Sequence, residues 1–229
     1  KTSRASSKYA SAAGWSPSWD ADDAWLPHKL QRQLDVLARQ PETGFVFSDV
    51  LKAVDPDPMR AMAAQDPQPE PFRADMAERF NASPSAALEL LCLHPEPYRF
   101  IPSPTPLVRR RLFQGGPRFV GKPALCLQYE DFLMWRVLAA RTRVHCLQEP
   151  LAIYRMHGAS FTGNFAARGT SALHLLALEQ VQEIFLSECG KDVSEAIVAG
   201  MRTRQGQRLV GAAHRLRWRA MRRGPLVAP

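Results

Sequence analysis

The chain has 229 residues, of which 45% are hydrophobic and 23% are charged. This length and balance indicate a globular protein of one large or two small domains, and they exclude a collagen, a coiled coil and a fully disordered chain. The sequence has no apolar run of the ~18–20 residues that a membrane-spanning helix needs. Its Ser/Ala/Lys-rich start lacks the apolar core of a secretory signal. Four scattered cysteines without a C-x-x-C pair indicate buried, reduced thiols of a cytoplasmic protein.

The positive charge is concentrated at the C-terminus. Thirty basic and twenty-two acidic residues give a net charge of +8. The last thirty residues hold eight arginines and no acid, so residues 1–199 sum to zero. These arginines are Arg202, Arg204, Arg208, Arg215, Arg217, Arg219, Arg222 and Arg223. A surface that attracts anionic partners is therefore predicted to be local to this tail.

Four segments of the first half have a regular pattern. In chain order they predict an Ala/Ser helix over residues 1–14, a poor strand over 15–19, a helix with leucines 26, 30, 34 and 37 on one side, and a buried strand over 44–50. The strand is poor because Pro17 cannot donate a hydrogen bond. Asp22 or Asp23 is expected to cap the leucine helix, with Pro27 in its first turn. Five prolines in residues 53–75 predict a surface excursion without a regular element.

The second half alternates strands and helices. Its predicted elements are a helix capped by Ser83 and ending at Leu93, an extended segment over 101–108, a short helix from residue 109, a helix over 129–140, two short strands over 144–147 and 151–154, a helix over 171–187, and one or two helices over 193–222. Pro150 is expected to separate the two strands. This alternation predicts an α/β class with a mainly parallel sheet and flanking helices.

An acidic loop, Asp20-Ala21-Asp22-Asp23, precedes the leucine helix. Carboxylates at positions i and i+2 of a loop can face one Mg²⁺ or Mn²⁺ ion, because these hard cations take oxygen ligands and bridge substrate phosphates. The N-terminus of the following helix would favour a phosphate nearby. The alternative is that Asp22 and Asp23 only cap the helix.

Two further groups carry candidate chemistry. Glu130 and Asp131 open an apolar helix, where a carboxylate could act as a general base or could simply complement the helix dipole. Arg155 and His157 end the last predicted strand. Arg155 could clamp a phosphate or pack on Tyr154, and His157 could bind a metal ion or a phosphate or be structural.

In this order, four segments resemble the glycosyltransferase family 2 domain. They are residues 20–34 followed by 44–50, residues 105–113, residues 129–138, and residues 149–160. The third is similar to the family's helix with the pattern E-D-x-x-L-W-x-R-L, and the fourth to its closing Y-R-x-H strand. The resemblance covers roughly residues 14–164.

The resemblance implies a GT-A fold, which is Rossmann-like, and a metal-dependent, inverting transfer of a sugar from a nucleotide-sugar donor. By match to the family's motifs, Asp20 would lie near the ribose and Asp22 would hold the Mg²⁺ or Mn²⁺ ion at the diphosphate. Asp131 would deprotonate the acceptor hydroxyl, with Glu130 shaping the acceptor pocket. His157 would lie near the diphosphate or the metal ion.

The sequence also departs from that family. The nucleotide-binding segment that usually precedes the D-x-D motif has no counterpart ahead of Asp20. We therefore expect an N-terminally truncated glycosyltransferase-like domain over residues 1–164 and a basic helical extension over residues 165–229.

The expected function is sugar transfer to a glycan or lipid-linked acceptor in surface polysaccharide biosynthesis. A basic helix with a tryptophan over 200–229 could lie on an anionic membrane surface, which would make the protein cytoplasmic and peripheral on the inner face of the membrane. The same helix could instead pack on the domain and be solvated, and nucleic acid is an unlikely partner because no reading module is evident. The alternative function is an inactive glycosyltransferase remnant that binds a membrane or a partner. A glycoside hydrolase is disfavoured by the metal-like spacing of Asp20 and Asp22.

Overall fold

The computed structural model describes residues 15–17, 22–55, 57–63, 67–70, 74–93, 101–113, 130–159 and 172–222. Its strands are β1 (Trp15–Pro17), β2 (Ala24–Trp25), β3 (Thr43–Val54), β4 (Gln68–Glu70), β5 (Leu107–Arg109) and β6 (Arg143–Met156). Its α-helices are α1 (Lys29–Arg39), α2 (Pro58–Ala63), α3 (Ala74–Ala82), α4 (Pro84–Leu93), α5 (Glu130–Arg141), α6 (Ala172–Cys189) and α7 (Glu195–Arg222). Short 3-10 helices cover Arg110–Phe113 and Gly190–Asp192. The helix predicted over residues 1–14 lies outside the described residues.

The strands form one mixed sheet with the order β1-β5-β3-β6-β2, and β4 also pairs with β3. The long core strands β3 and β6 run parallel. The short strands β1, β2, β4 and β5 pair antiparallel with their neighbours. The predicted α/β class is confirmed, and the expected mainly parallel sheet is instead mixed, parallel in its core pair and antiparallel around it. The architecture is compatible with a Rossmann-like fold.

Alternating side chains of β3 divide the core into two layers. Phe45 and Phe47 belong to a large cluster that includes residues of α3 to α7. Val46 points to the other face, where it packs with Val36 and Leu37 of α1. This follows from the period of two along a strand. The sheet is therefore covered by α1 on one face and by the remaining core helices on the other.

The helices beyond residue 164 share the large cluster. Val181 and Phe185 of α6, and Ile197 and Met201 of α7, are buried in it. The predicted helix over 171–187 is confirmed as α6, and the region over 193–222 is one continuous helix, α7. The domain boundary between residues 164 and 165 stays a prediction.

Strand β6 differs from the expectation of two strands separated by Pro150. It is one strand of fourteen residues. Its register with β3 shifts where Leu147 pairs with Ser48 and Pro150 pairs with Asp49, which leaves two extra residues on β6. A bulge of this kind tolerates proline, because the ladder is interrupted there and the missing N–H is not needed.

Three further expectations are corrected. Neither Asp22 nor Asp23 caps α1, because the cap residue is His28 and it makes no side-chain capping bond. Pro27 likewise lies before the cap residue and not in the first turn of α1. The proline-rich excursion differs as well, because it contains α2 and the edge strand β4, which pairs with β3. The strand expected over residues 15–19, in contrast, is present over 15–17 as the outermost strand β1, where proline is tolerated.

Other local predictions are confirmed. The Ser83 hydroxyl accepts a hydrogen bond from the Ala86 N–H at 3.1 Å, and helix α4 ends at Leu93. Cys92, Cys146 and Cys189 are free and buried, while Cys126 lies outside the described residues. Across the described part of the chain, no helix combines the length and apolar character needed to cross a membrane.

Candidate functional site

The antiparallel pairing of β2 with β6 brings the acidic loop to the end of β6. Ala24 lies opposite Ile153, so the two residues before β2 meet the residues that follow Ile153. The Arg155 backbone N–H donates to Asp23 Oδ1 at 2.9 Å. Asp23 is buried, with 8% of its surface exposed. Its carboxylate therefore fixes the end of β6 rather than a helix N-terminus.

Asp22 and His157 form the centre of this site. Asp22 Oδ2 lies 2.9 Å from His157 Nε2. The His157 side chain is 10% exposed and the Asp22 side chain 32% exposed, so the pair opens to solvent on the Asp22 side. The Arg155 guanidinium donates from Nη1 to the Asp22 carbonyl oxygen at 2.6 Å. Asp22 thus contacts both Arg155 and His157, and all three were proposed from the sequence as donor-site residues.

A divalent cation fits the Asp22–His157 pair by one geometric criterion. Adjacent ligand atoms of an octahedral Mg²⁺ or Mn²⁺ ion, with bonds of ~2.1 Å, lie about 3.0 Å apart. The separation of 2.9 Å between Asp22 Oδ2 and His157 Nε2 is that of a hydrogen bond between the two side chains, and it also matches that edge. Imidazole nitrogen together with carboxylate oxygen favours Mn²⁺ over Mg²⁺. Within the described ranges no group of three His, Cys, Asp or Glu side chains could hold a metal ion, and Asp20 lies outside those ranges.

Asp131 belongs to a second group of residues, at the N-terminus of α5. Its Oδ1 accepts the Phe132 backbone N–H at 2.6 Å, and its Oδ2 accepts the Ser103 hydroxyl at 3.4 Å. The side chain is partly buried. A carboxylate at this position is stabilised by the helix dipole, which is the alternative to a general base given above. The Asp131 carboxylate also faces the Ser103 hydroxyl. Glu130 begins the helix, and its side chain lies outside what the structure describes.

The topology directs both groups toward the same edge of the sheet. Ser103, which contacts Asp131 at the N-terminus of α5, precedes β5, and β5 runs antiparallel to β3, which is itself parallel to β6. The N-terminus of α5 therefore points toward the edge at which β6 ends, and the Asp22–His157 pair lies at that edge. Ligand sites of open α/β sheets lie at the carboxyl ends of the parallel strands.

Sequence reasoning missed a buried polar pair on α1. Lys29 and Gln33 of α1 are both 0% exposed. Burial lowers the pKa of the Lys29 amine from its ordinary value of 10.5 to about 7. The two residues lie at helical spacing beside Leu26, Leu30 and Leu37, which is on the stripe that the leucines define. Polar residues on an apolar stripe were the signal that could have revealed them.

The chain matches no protein-family model. Comparison with curated protein sequences also gives no match. The fold and the site together therefore define a class and no further: an α/β protein with a mixed sheet, with helices on both faces and a His–Asp pair at the end of its longest strand.

Proposed function

We propose that this protein is a metal-dependent glycosyltransferase of the family 2 type, which transfers a sugar with inversion from a nucleotide-sugar to a glycan or lipid-linked acceptor. The observation that carries the proposal is the contact of Asp22 with His157 at 2.9 Å, backed by Arg155. Residues that lie 135 positions apart in the sequence therefore meet at one point.

The donor side would be formed by the acidic loop and the end of β6. Asp22 and His157 would hold the Mg²⁺ or Mn²⁺ ion, with Asp20 beside them in the chain. When bound, the ion would neutralise charge on the departing nucleoside diphosphate. One N–H of the Arg155 guanidinium donates to the Asp22 carbonyl and orients the acidic loop. Its other N–H groups are suited to donate to a phosphate oxygen.

The acceptor side would be formed at the N-terminus of α5. Asp131 would take the proton from the acceptor hydroxyl as the acceptor oxygen attacks the anomeric carbon. The bond from that carbon to the diphosphate oxygen would break on the opposite face, which inverts the configuration. Ser103, at 3.4 Å from Asp131 Oδ2, would orient the carboxylate toward the acceptor, and Glu130 would line the pocket beside it.

The course of α7 supports an acceptor at a membrane surface. Arg141, at the end of α5, interacts with the Cys189 thiol, so α6 ends near the edge of the sheet at which β6 begins. Gln182 of α6 donates to the Met201 carbonyl of α7 at 3.3 Å and to Gln205 at 2.8 Å, and α7 therefore runs back along α6. Its arginine-rich end therefore points away from the edge of the sheet at which β6 begins, which is compatible with the proposed peripheral attachment to the inner face of a membrane.

The test is a thermal-shift titration of the full chain with Mn²⁺ and a panel of nucleoside diphosphates. A ligand that binds only the native state raises the melting temperature by mass action. We expect one diphosphate with Mn²⁺ to raise it, and Asp22→Asn to abolish the rise. Asp35→Asn is the matched control, because Asp35 lies on α1 and accepts from Gln31 at an exposed position.

Two outcomes count against the proposal. An unchanged melting temperature with every diphosphate at millimolar concentration contradicts a working donor site. If that chain still binds anionic vesicles, the inactive remnant is the better description. A shift that survives Asp22→Asn contradicts the assignment of the site instead.

A further inference from the structure

Lys29 is a fully buried amine on the apolar side of α1. Its Nζ donates to Gln33 Oε1 at 2.7 Å and lies 4.3 Å from the centre of the Trp25 ring. Burying an amine is costly, and an apolar side chain of similar length would fill the same space without that cost. The amine therefore needs an explanation other than packing.

Gln33, which accepts the Lys29 hydrogen bond, also contacts the segment that contains Thr105. Its Nε2 donates to the Thr105 carbonyl at 2.7 Å, and it lies 3.5 Å from the Val46 carbonyl. The oxygen and nitrogen of a glutamine amide have nearly the same shape, so the amide can be seated in two ways. The Lys29 donor selects the orientation with Oε1 toward Lys29 and Nε2 toward Thr105. In the other orientation, Oε1 would face the Thr105 carbonyl oxygen.

The residues from Ile101 to Pro106, which we name the proline segment, include three prolines, which have no backbone N–H to donate. Trp135 Nε1 donates to the Ile101 carbonyl at 3.2 Å, and the Ser103 hydroxyl donates to Asp131 at 3.4 Å. The Thr105 hydroxyl and the Thr105 backbone N–H both donate to the Pro102 carbonyl, at 2.8 Å and 2.9 Å. The Gln33 amide is the attachment from the α1 side.

We infer that Lys29 and Gln33 are positioning residues for Asp131. The Lys29 amine orients the Gln33 amide, the amide holds Thr105, and the proline segment in turn holds Ser103 against the carboxylate. The inference rests on the proposed function for the role of Asp131 as base. The physical link from Lys29 to the proline segment is independent of that function.

The experiment compares three variants of the full chain. Lys29→Met removes the amine and keeps the length of the side chain. Gln33→Glu keeps an acceptor for Lys29 and removes the donor to Thr105. Gln31→Met is the control, because it removes a hydrogen bond of 2.8 Å to Asp35 on the exposed side of the same helix.

The first readout is the hydrogen-exchange rate of the Trp135 indole N–H, measured by NMR. The Trp135→Phe variant assigns its signal. Loss of one of the two hydrogen bonds that link Lys29 to Thr105 through Gln33 should raise this exchange rate about tenfold in Lys29→Met and in Gln33→Glu. Gln31→Met should leave it unchanged. The amide exchange of α6 and α7 should stay the same in all three, which separates a local opening from a general loss of stability.

The second readout is transfer kinetics. If Asp131 is held less firmly in Lys29→Met and Gln33→Glu, kcat should fall about tenfold or more, while KM for the donor stays within about twofold. Unchanged Trp135 exchange in both variants, or equal exchange in the Gln31→Met control, overturns the inference. Faster exchange with unchanged kcat also overturns the positioning role. Faster exchange in a chain without any transferase activity contradicts the proposed function and leaves the link from Lys29 to the proline segment standing.

Discussion

Lys29 shows what a single buried side chain does to the pH dependence of this protein. The folded pKa of about 7 lies well below the ordinary value of 10.5, and burial is the cause. Between these two values the unfolded chain carries a proton on Lys29 that the folded chain lacks. Raising the pH through this interval therefore favours the folded state, and below pH 7 the contribution is constant.

We expect the free energy of unfolding of the wild type, relative to Lys29→Met, to increase from pH 7 to pH 8.5. The slope should reach at most about 1.4 kcal/mol per pH unit, which is the value for one proton. The measurement is urea denaturation at several pH values in this interval. Burial also raises the pKa of Cys92, to about 11, which gives the opposite slope above about pH 9 in both proteins and therefore cancels in the difference between them. Parallel curves for the two proteins would contradict the assignment of a neutral, buried amine.

The sequence allowed part of the candidate site to be predicted. The contact of Asp22 with His157 joins residues 135 positions apart, and the order of four family-like segments was enough to propose both. The Lys29–Gln33 pair was missed, because its importance depends on a carbonyl at Thr105, 72 positions beyond Gln33. No local pattern reports which backbone oxygen a buried amide will meet.

The predicted helices and strands agree with the structure where neighbouring residues in the sequence determine the element. They disagree where pairing with a distant strand determines it. The cap at Ser83 and the helix α4 follow from residues within four positions of each other. Pro150 was expected to end a strand because proline lacks an N–H. It lies instead in a bulge of β6, and the existence of that bulge depends on the register with β3, which the sequence of β6 alone does not contain.

The first half of β6 is also held by a side chain of α3. Asn81 Nδ2 donates to the Cys146 carbonyl at 3.0 Å, and Asn81 Oδ1 accepts the Cys146 N–H at 2.7 Å. These are the bonds that a neighbouring strand would make, since β2 reaches only Ala152 and Ile153 of β6. The Arg143 guanidinium of β6 donates to the Asn81 carbonyl at 2.7 Å, which adds a second attachment between β6 and the end of α3.

Asn81→Ala should therefore lower the free energy of unfolding by about 1–3 kcal/mol, because it leaves two backbone groups of a half-buried strand without their partner. Asn81→Asp is the sharper variant. At pH 7 its carboxylate would still accept the Cys146 N–H but would repel the Cys146 carbonyl oxygen. When protonated at low pH it would donate again, so part of the loss should be recovered. Urea denaturation of both variants tests this, and a loss in Asn81→Asp that does not depend on pH would contradict it.

The distribution of charge over the entire chain is the last property to explain. The net charge of +8 comes from the last thirty residues. Helix α7 is anchored in the core by Ile197 and Met201 near its start. Because α7 runs back along α6, its arginine-rich end points away from the edge of the sheet at which β6 begins, and we propose that it lies on the side of the Asp22–His157 pair. An anionic surface that attracts this end would face the candidate site, which is why lipid attachment and sugar transfer form one hypothesis here.

We expect the full chain to bind vesicles that contain an anionic lipid, and to bind purely zwitterionic vesicles much more weakly. Each basic residue near such a surface contributes about 1 kcal/mol. The triple variant Arg217→Gln, Arg219→Gln, Arg222→Gln should therefore lower partitioning by about 3 kcal/mol, which is more than a hundredfold. The matched control is Arg39→Gln, Arg110→Gln, Arg111→Gln, which removes the same charge from three exposed positions near the opposite edge of the sheet.

Salt and competition then separate the remaining interpretations. The attraction decays over a Debye length of ~8–10 Å, so binding should weaken steeply between low and physiological salt. The tryptophan fluorescence should shift to the blue on binding, and Trp218→Phe should remove much of that shift, because an interfacial helix buries its aromatic residue in the lipid headgroups. Equal loss of binding in the two triple variants would show that net charge alone matters and would contradict a docking role for α7. Competition by DNA or RNA stronger than by anionic lipid would assign the arginines to a nucleic acid, and no vesicle binding at any salt would leave them as a solvated helix surface.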